Sequence, residues 1–108
     1  MSEQTIWKYT VPVDDHQTIK VDNAVVVDVL HAEARNYDDH GNEGHFIDIW
    51  VVVKPGKGSV YFLPIEIRGT GHPLRPERLA GTPKEAHIAT CIDGIFVWHV
   101  FRGTTVSL

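Results

Sequence analysis

The stretch RGTGHPLRPERLAGTP, residues 68–83, gathers the residue types that hold anions. Arg68, Arg75 and Arg78 are three of the five arginines in the chain, and Gly69, Gly71 and Gly81 are three of its nine glycines. A guanidinium grips phosphate oxygens through a two-point fork. Glycines on either side of Thr70 reach positive φ without steric cost. Successive backbone N–H groups can then turn to one side and form an anion-binding concavity. The Thr70 hydroxyl adds a donor, His72 can donate to an oxygen or pack its ring, and Pro73 and Pro76 stiffen the following chain and lower the ordering cost of binding. The plainer alternative is a surface turn rich in chain breakers, its arginines solvated or paired with Glu66, Glu77 and Glu85. Neither the P-loop pattern nor a glycine fingerprint followed by a helix is present, so the two common nucleotide motifs are excluded.

A phosphate site in a nucleotide binder needs a partner for the base. Stacking on an aromatic ring contributes ~1–3 kcal/mol per base. Trp7, Tyr9, Trp50, Tyr61 and Trp98 are the candidates, and each is equally suited to a core. Trp7, Tyr9 and Trp98 join Arg68, Gly69, Thr70, Gly71, His72, Arg75 and Arg78 as the expected ligand-binding set.

Other chemistries are less well served. DDHGNEGH at 38–45 collects Asp38, Asp39, His40, Glu43 and His45, but its spacing fits no zinc motif. It reads as an acidic hairpin tip, and DDH at 14–16 as a turn; no metal or other cofactor is expected. A metal-free phosphodiesterase would carry His and a hydroxyl two apart on one strand face. The nearest approach is His87-Ile88-Ala89-Thr90, where the hydroxyl comes one residue late and points to the opposite face. His31, His72 and His99 lack the pattern too. The serines are Ser2, Ser59 and Ser107, none in a nucleophile elbow, and Cys91 lies in an apolar run that suits a buried thiol. The expectation is a protein that is not an enzyme.

The elements that must position these residues are short apolar runs rich in Val, Ile, Thr and aromatics, separated by turn residues. They predict strands near 5–12, 17–21, 24–35, 45–54, 59–68, 86–93 and 95–102, with DG at 93–94 as a two-residue hairpin loop. PERLA at 76–80 suits one helical turn, since Pro is tolerated at a helix start. The fold class is all-β: a small antiparallel sandwich or open barrel of about six to seven strands, with at most one short helical turn. At 108 residues, 43% hydrophobic and 22% charged, the chain reads as a single domain over 1–108. The face His45, Ile47, Ile49, Val51, Val53 is a plain core face. In 95–102 both faces are apolar, so either a closed sandwich or a subunit interface covers the second. A net charge of −4 argues against DNA or RNA, which ask for a broad basic face. No run is long enough to cross a membrane, no secretory signal is visible, and a lone cysteine fits a reducing cytoplasm.

Three motifs in order, IWKYTV at 6–11, GTGHP at 69–73 and VWHVF at 97–101, resemble a family of small phage-encoded β-proteins. The resemblance covers Ile6 to Phe101, and the chain departs from it in a longer 38–44 loop. Small phage proteins of this kind include sponges that sequester the cyclic nucleotides of bacterial immune systems such as CBASS. These sponges assemble as homo-oligomers and leave the ligand uncut. The resemblance implies a motif role for Gly69, Thr70, Gly71, His72 and Pro73, and importance for Trp7, Tyr9, Trp98 and His99. The expectation is a small anionic nucleotide, such as a cyclic dinucleotide, held at a dimer or tetramer interface in the host cytoplasm. Arg68 and Arg75 would hold phosphate, and a Trp or Tyr the base. The alternative is a protein–protein module that docks on a host factor, with the loop arginines as rim charges. A phosphodiesterase with an unfamiliar site is the third reading.

Overall fold

The computed structural model describes residues 3–104. Five antiparallel strands account for most of them: β1 (Thr5–Pro12), β2 (His16–Tyr37), β3 (Glu43–Gly69), β4 (His87–Asp93) and β5 (Phe96–Arg102). The all-β class stands, but there are fewer strands than the sequence predicts and two are far longer. β3 is the spine. β2 pairs along one of its edges from Tyr37↔Glu43 to His16↔Glu66. The other edge is shared by β1, from Thr5↔Val53 to Pro12↔Phe46, and β5, from Ile65↔Arg102 to Gly69↔Trp98. β4 lies outside β5.

The breaks expected at 21–23 and 55–58 are one corner in a continuing ladder. Pairing passes from Asp22↔Val60 to Ala24↔Pro55, which leaves extra β3 residues opposite Asn23. Asn23 takes φ +61, Gly58 takes φ +83, and the Gly58 N–H donates to Asn23 Oδ1 at 3.1 Å. Turn residues here bend two paired strands together, as a bulge does.

Beyond this corner the sheet curls into a half-barrel, and β4 swings across to face β2. Ile47, Ile49, Val51 and Val53 fill the inside with Leu63, Ile65 and Ile67, all nearly solvent-free. The curl is clipped at one end by Asp93, whose carboxylate accepts from Asn36 Nδ2 at 2.5 Å and Trp98 Nε1 at 3.2 Å, and is bonded to His45 Nδ1 at 2.5 Å. Asp93 is itself the last paired residue of β4, opposite Phe96. The two-residue loop is therefore Gly94-Ile95 rather than Asp93-Gly94. Gly94 takes φ +60 at its first central position, as a type II′ turn requires.

The second apolar face of β5 is covered by the chain itself at its Phe101 end. Phe101 packs with Leu79, Ala86 and Leu74, all from the loop between β3 and β4. That loop is strapped down by Ala80 N–H to Arg102 O at 3.0 Å and Thr104 N–H to Arg78 O at 2.8 Å. It carries two helical turns where at most one was expected. A 3-10 turn spans Pro76–Arg78, and a four-residue α-helix, α1, spans Pro83–Ala86. Thr82 and Glu85 form a reciprocal capping box that starts α1. Burying Phe101 contributes about 1.5–3 kcal/mol, and covering that ring is a structural task of the arginine-rich loop. Among the described residues no helix is long and apolar enough to cross a membrane.

Candidate anion pocket at the Gly69–His72 turn

β3 leaves the sheet at Gly69 and reverses at once. The His72 N–H donates to Gly69 O at 3.0 Å, closing a β-turn with Gly71 at φ +91 in its third position, a type II arrangement that favours glycine there. Gly69 serves a different need. A Cβ built on it would lie 3.0 Å from His72 Nδ1 and 3.4 Å from Trp98 Cζ3, so its lack of a side chain lets the His72 ring fold back over the strand end. The Thr70 N–H points to Val97 O at 3.4 Å. With the N–H groups of Thr70 and His72 both directed within the chain, the expected concavity of free backbone donors is not formed. The turn instead presents the Thr70 hydroxyl and the His72 ring.

Beside it lies a pocket of about 170 Å³, walled by Arg68 to His72 with Leu74, His99 and Phe101. Five of the sequence-predicted residues thus meet in one wall. Two of the three motifs, GTGHP and VWHVF, come together because β5 pairs with the end of β3, Arg68 opposite His99 and Gly69 opposite Trp98. IWKYTV lies on β1, along the other half of the spine.

The Arg68 guanidinium is bonded to groups of the protein itself. Its Nε donates to Pro73 O at 3.1 Å, its Nη1 to Ile67 O at 3.0 Å and to Asp15 O, and its Nη2 to Glu66 Oε1 at 2.9 Å. Glu66 is wholly buried, and its other oxygen is bonded to His16 Nδ1. The guanidinium therefore ties the start of the loop and the β1–β2 turn to β3, and its charge is met by a buried carboxylate. This corrects the expected phosphate role, and of the alternatives weighed for the arginines it selects the pairing with Glu66. Arg75 is exposed and Arg78 half-buried; neither belongs to the pocket wall, and among the described residues neither forms an ion pair.

The aromatic candidates face elsewhere. Trp7, Tyr9 and Trp98 are half-buried and packed against the main core, and none of them belongs to the wall of this pocket. Trp98 also stacks on Phe96, with ring centroids 5.5 Å apart. Burial, and next to it the charge of Asp22, holds the Tyr9 phenol above its ordinary range. Trp50 stacks on His31, with centroids 6.0 Å apart, and the Tyr61 hydroxyl accepts from Arg102 Nη2 at 2.8 Å.

What the sequence reading missed is a chain of alternating imidazoles and hydroxyls. Thr70 Oγ1 is bonded to His99 Nε2 at 2.7 Å, His99 Nδ1 to Thr90 Oγ1 at 3.1 Å, and Thr90 Oγ1 to His87 Nε2 at 2.9 Å. Thr90 and His99 are cross-strand partners in the β4–β5 hairpin. His87 joins them because the ladder slips between His87↔Phe101 and Ala89↔Val100. This bulge turns His87 to the face of Thr90, against the expectation for a regular strand. Its ring edge then meets Phe101, with centroids 5.5 Å apart. A hairpin register counted from the Gly94-Ile95 loop would have paired Thr90 with His99; the bulge had no signal in the sequence.

The remaining polar candidates are spent on structure. Asp38 accepts from the backbone N–H groups of His40 and Asn42 at 2.8 and 2.9 Å, and Asp39 pairs with Arg35 at 2.9 Å. Hydrogen bonds from Asn42 hold the Asp38 carboxyl below the usual carboxylate range. Among the described residues no group of three or more His, Cys, Asp or Glu side chains converges as a metal ion would need. Burial, and next to it Glu33, pushes the Cys91 thiol up to about 11. Ser59 sits at the β2–β3 corner, and Ser2 and Ser107 lie outside the described residues.

A family model described as a domain of unknown function (DUF7352) matches residues 2–107. No curated protein and no solved structure matches the chain.

Proposed function

We propose, for a chain that belongs to the DUF7352 family, that the pocket beside Thr70 receives a phosphoryl group of a small anionic nucleotide. The observation that carries this reading is the meeting of the Thr70 hydroxyl, the His72 ring and His99 around one cavity, with Thr70 held 2.7 Å from an imidazole nitrogen. Hydroxyl and imidazole donors suit phosphoryl oxygens, and the apolar wall of Leu74 and Phe101 strengthens any hydrogen bond made beside it.

Size bears on the ligand. Pockets that enclose a whole drug-sized molecule span roughly 300–1,000 Å³, and about 170 Å³ holds little more than one phosphoryl group and part of a sugar. A cyclic dinucleotide is nearly two-fold symmetric, so two copies of the chain, each offering one pocket, would hold its two phosphates. Sequestration of such a ligand by a homo-oligomer is the form of the proposal that uses this symmetry.

The test is a thermal-shift screen with cyclic and linear nucleotides, because a ligand that binds only the folded state raises its stability. The expected result is stabilisation of the wild-type protein and its loss in Thr70→Val. Equal stabilisation of that variant would remove the pocket from the proposal. A protein-docking role is the second reading. It is favoured by the tip of the β4–β5 hairpin, where Ile92, Ile95 and Phe96 are 76%, 93% and 45% exposed. Retention of a nucleotide response after Ile95→Asp would assign the two surfaces to separate tasks.

A further inference from the structure

The pocket wall contains one guanidinium, and its charge is already met by Glu66 at 2.9 Å. The molecule as a whole carries a net charge of −4 with its histidines neutral. An anion entering this pocket therefore finds no uncompensated permanent cation in the wall. What it does find is imidazole: His72 and His99 in the wall, and His87 one hydroxyl further along.

We infer that anion capture in this pocket is coupled to protonation of His99, so that imidazolium rather than guanidinium supplies the charge. This rests on the phosphoryl site proposed above. A neutral imidazole has one N–H donor and one bare acceptor nitrogen. With Thr70 on Nε2 and Thr90 on Nδ1, one of the two hydroxyls must give its proton to the ring. Once the ring is protonated, both nitrogens donate and both threonine oxygens accept. The Thr70 hydroxyl proton is then free for a ligand oxygen in the pocket. One added proton thus supplies a positive charge and a hydroxyl donor together. Protonation frees only the hydroxyl that had donated to the ring, which is Thr70 when the neutral ring carries its proton on Nδ1; Thr90 Oγ1 then accepts from Nδ1 before and after, with His87 Nε2 bonded to the same oxygen.

The surroundings of His99 are consistent with this assignment. From β3 it faces Arg68, already paired with Glu66, which His16 of β2 also engages. From the turn it faces Thr70 and His72, and from β4 Thr90 and His87. On α1, which packs on β5 through Ala86 and Phe101, Lys84 is exposed and Glu85 is turned back onto its own helix cap. Among the described residues no acidic side chain is hydrogen-bonded or ion-paired to His99, whose ring partners are Thr70 and Thr90. The ligand class is an oxyanion with tetrahedral oxygens, a dianion being favoured over a monoanion.

Two probes of constant charge test this: sulfate, a dianion, and 3′,5′-cyclic adenosine monophosphate, a monoanionic phosphodiester. Calorimetric affinities are measured from about pH 5.5 to about pH 8 at fixed ionic strength, in buffers of different ionisation enthalpy. A ligand that favours the protonated ring binds most tightly at the acidic end and loses affinity as pH rises through the imidazole range. The expected result is about tenfold weaker sulfate binding at the alkaline end, with close to one proton taken up at the midpoint. In His99→Gln, which keeps a hydrogen-bonding side chain that does not titrate, the pH dependence is lost. Affinity independent of pH would overturn the inference and leave the pocket as a binding site. PH dependence that persists in His99→Gln would overturn the assignment to His99. No binding of either probe at any pH would overturn both this inference and the phosphoryl site.

Discussion

Arg68 and Thr70 are two residues apart and have opposite kinds of importance. Arg68 is 8% exposed, and its guanidinium donates to Pro73, Asp15, Ile67 and Glu66. Arg68→Ala would leave Glu66 charged and without its cation at a site with no solvent contact. Breaking a buried pair in this way costs about 3–5 kcal/mol. A large drop in denaturation midpoint is expected, and an unchanged midpoint would contradict the buttress role. Thr70 is exposed and at a turn, so Thr70→Val is expected to change stability by less than about 0.5 kcal/mol while removing anion binding. Part of this contrast was legible. Residues two apart on a strand share a face, so Glu66 and Arg68 could be expected to meet. What pattern could not reveal is that the following loop folds back over that face, which turns a surface arginine into a buried one.

The β4–β5 hairpin shows how one residue of register decides a site. A loop placed at Asp93-Gly94 pairs Thr90 with Val97, whereas the observed Gly94-Ile95 loop pairs it with His99. The signal for a turn was strong in the sequence, but both placements satisfy it. Asp93 decides between them, because its carboxylate is drawn into the layer contact by Asn36, His45 and Trp98. Burial pushes that carboxyl up, and the hydrogen bonds from Asn36, His45 and Trp98 outweigh it, so the group sits below its usual range in the folded protein. A depressed folded value means the stabilisation is present above the unfolded carboxylate range and is lost as pH falls through the folded value. Thermal unfolding followed between neutral pH and about pH 3 should show a falling midpoint that is shallower in Asp93→Asn. Identical acid profiles would remove Asp93 as the clip. Gly94→Val, at φ +60, should cost about 1 kcal/mol or more through the turn alone.

At the scale of the whole molecule, the all-β class followed from short β-branched runs and their turn residues, but the strand count did not. PGKG at 55–58 is a turn by composition, and it became a corner because Asn23 and the extra residues opposite it let β2 and β3 bend without parting. No local rule distinguishes a loop that ends two strands from a bulge that bends them; the distinction is made by the core that the bent sheet encloses. Cys91 reports on that enclosure. Its thiol lies 3.4 Å from Ala32 O, at the seam where β4 passes over β2. Burial and Glu33 raise it from 9.0 to about 11, which makes the thiolate about a hundredfold scarcer at neutral pH than for an ordinary thiol. A soluble thiol reagent should therefore label the native protein far more slowly than the unfolded chain, at a rate set by opening of the seam. Asp93→Asn, which weakens the clip at the end of the same hairpin, should speed labelling without affecting the unfolded rate. Labelling of the native protein as fast as the unfolded chain would mean that the half-barrel does not close over β4.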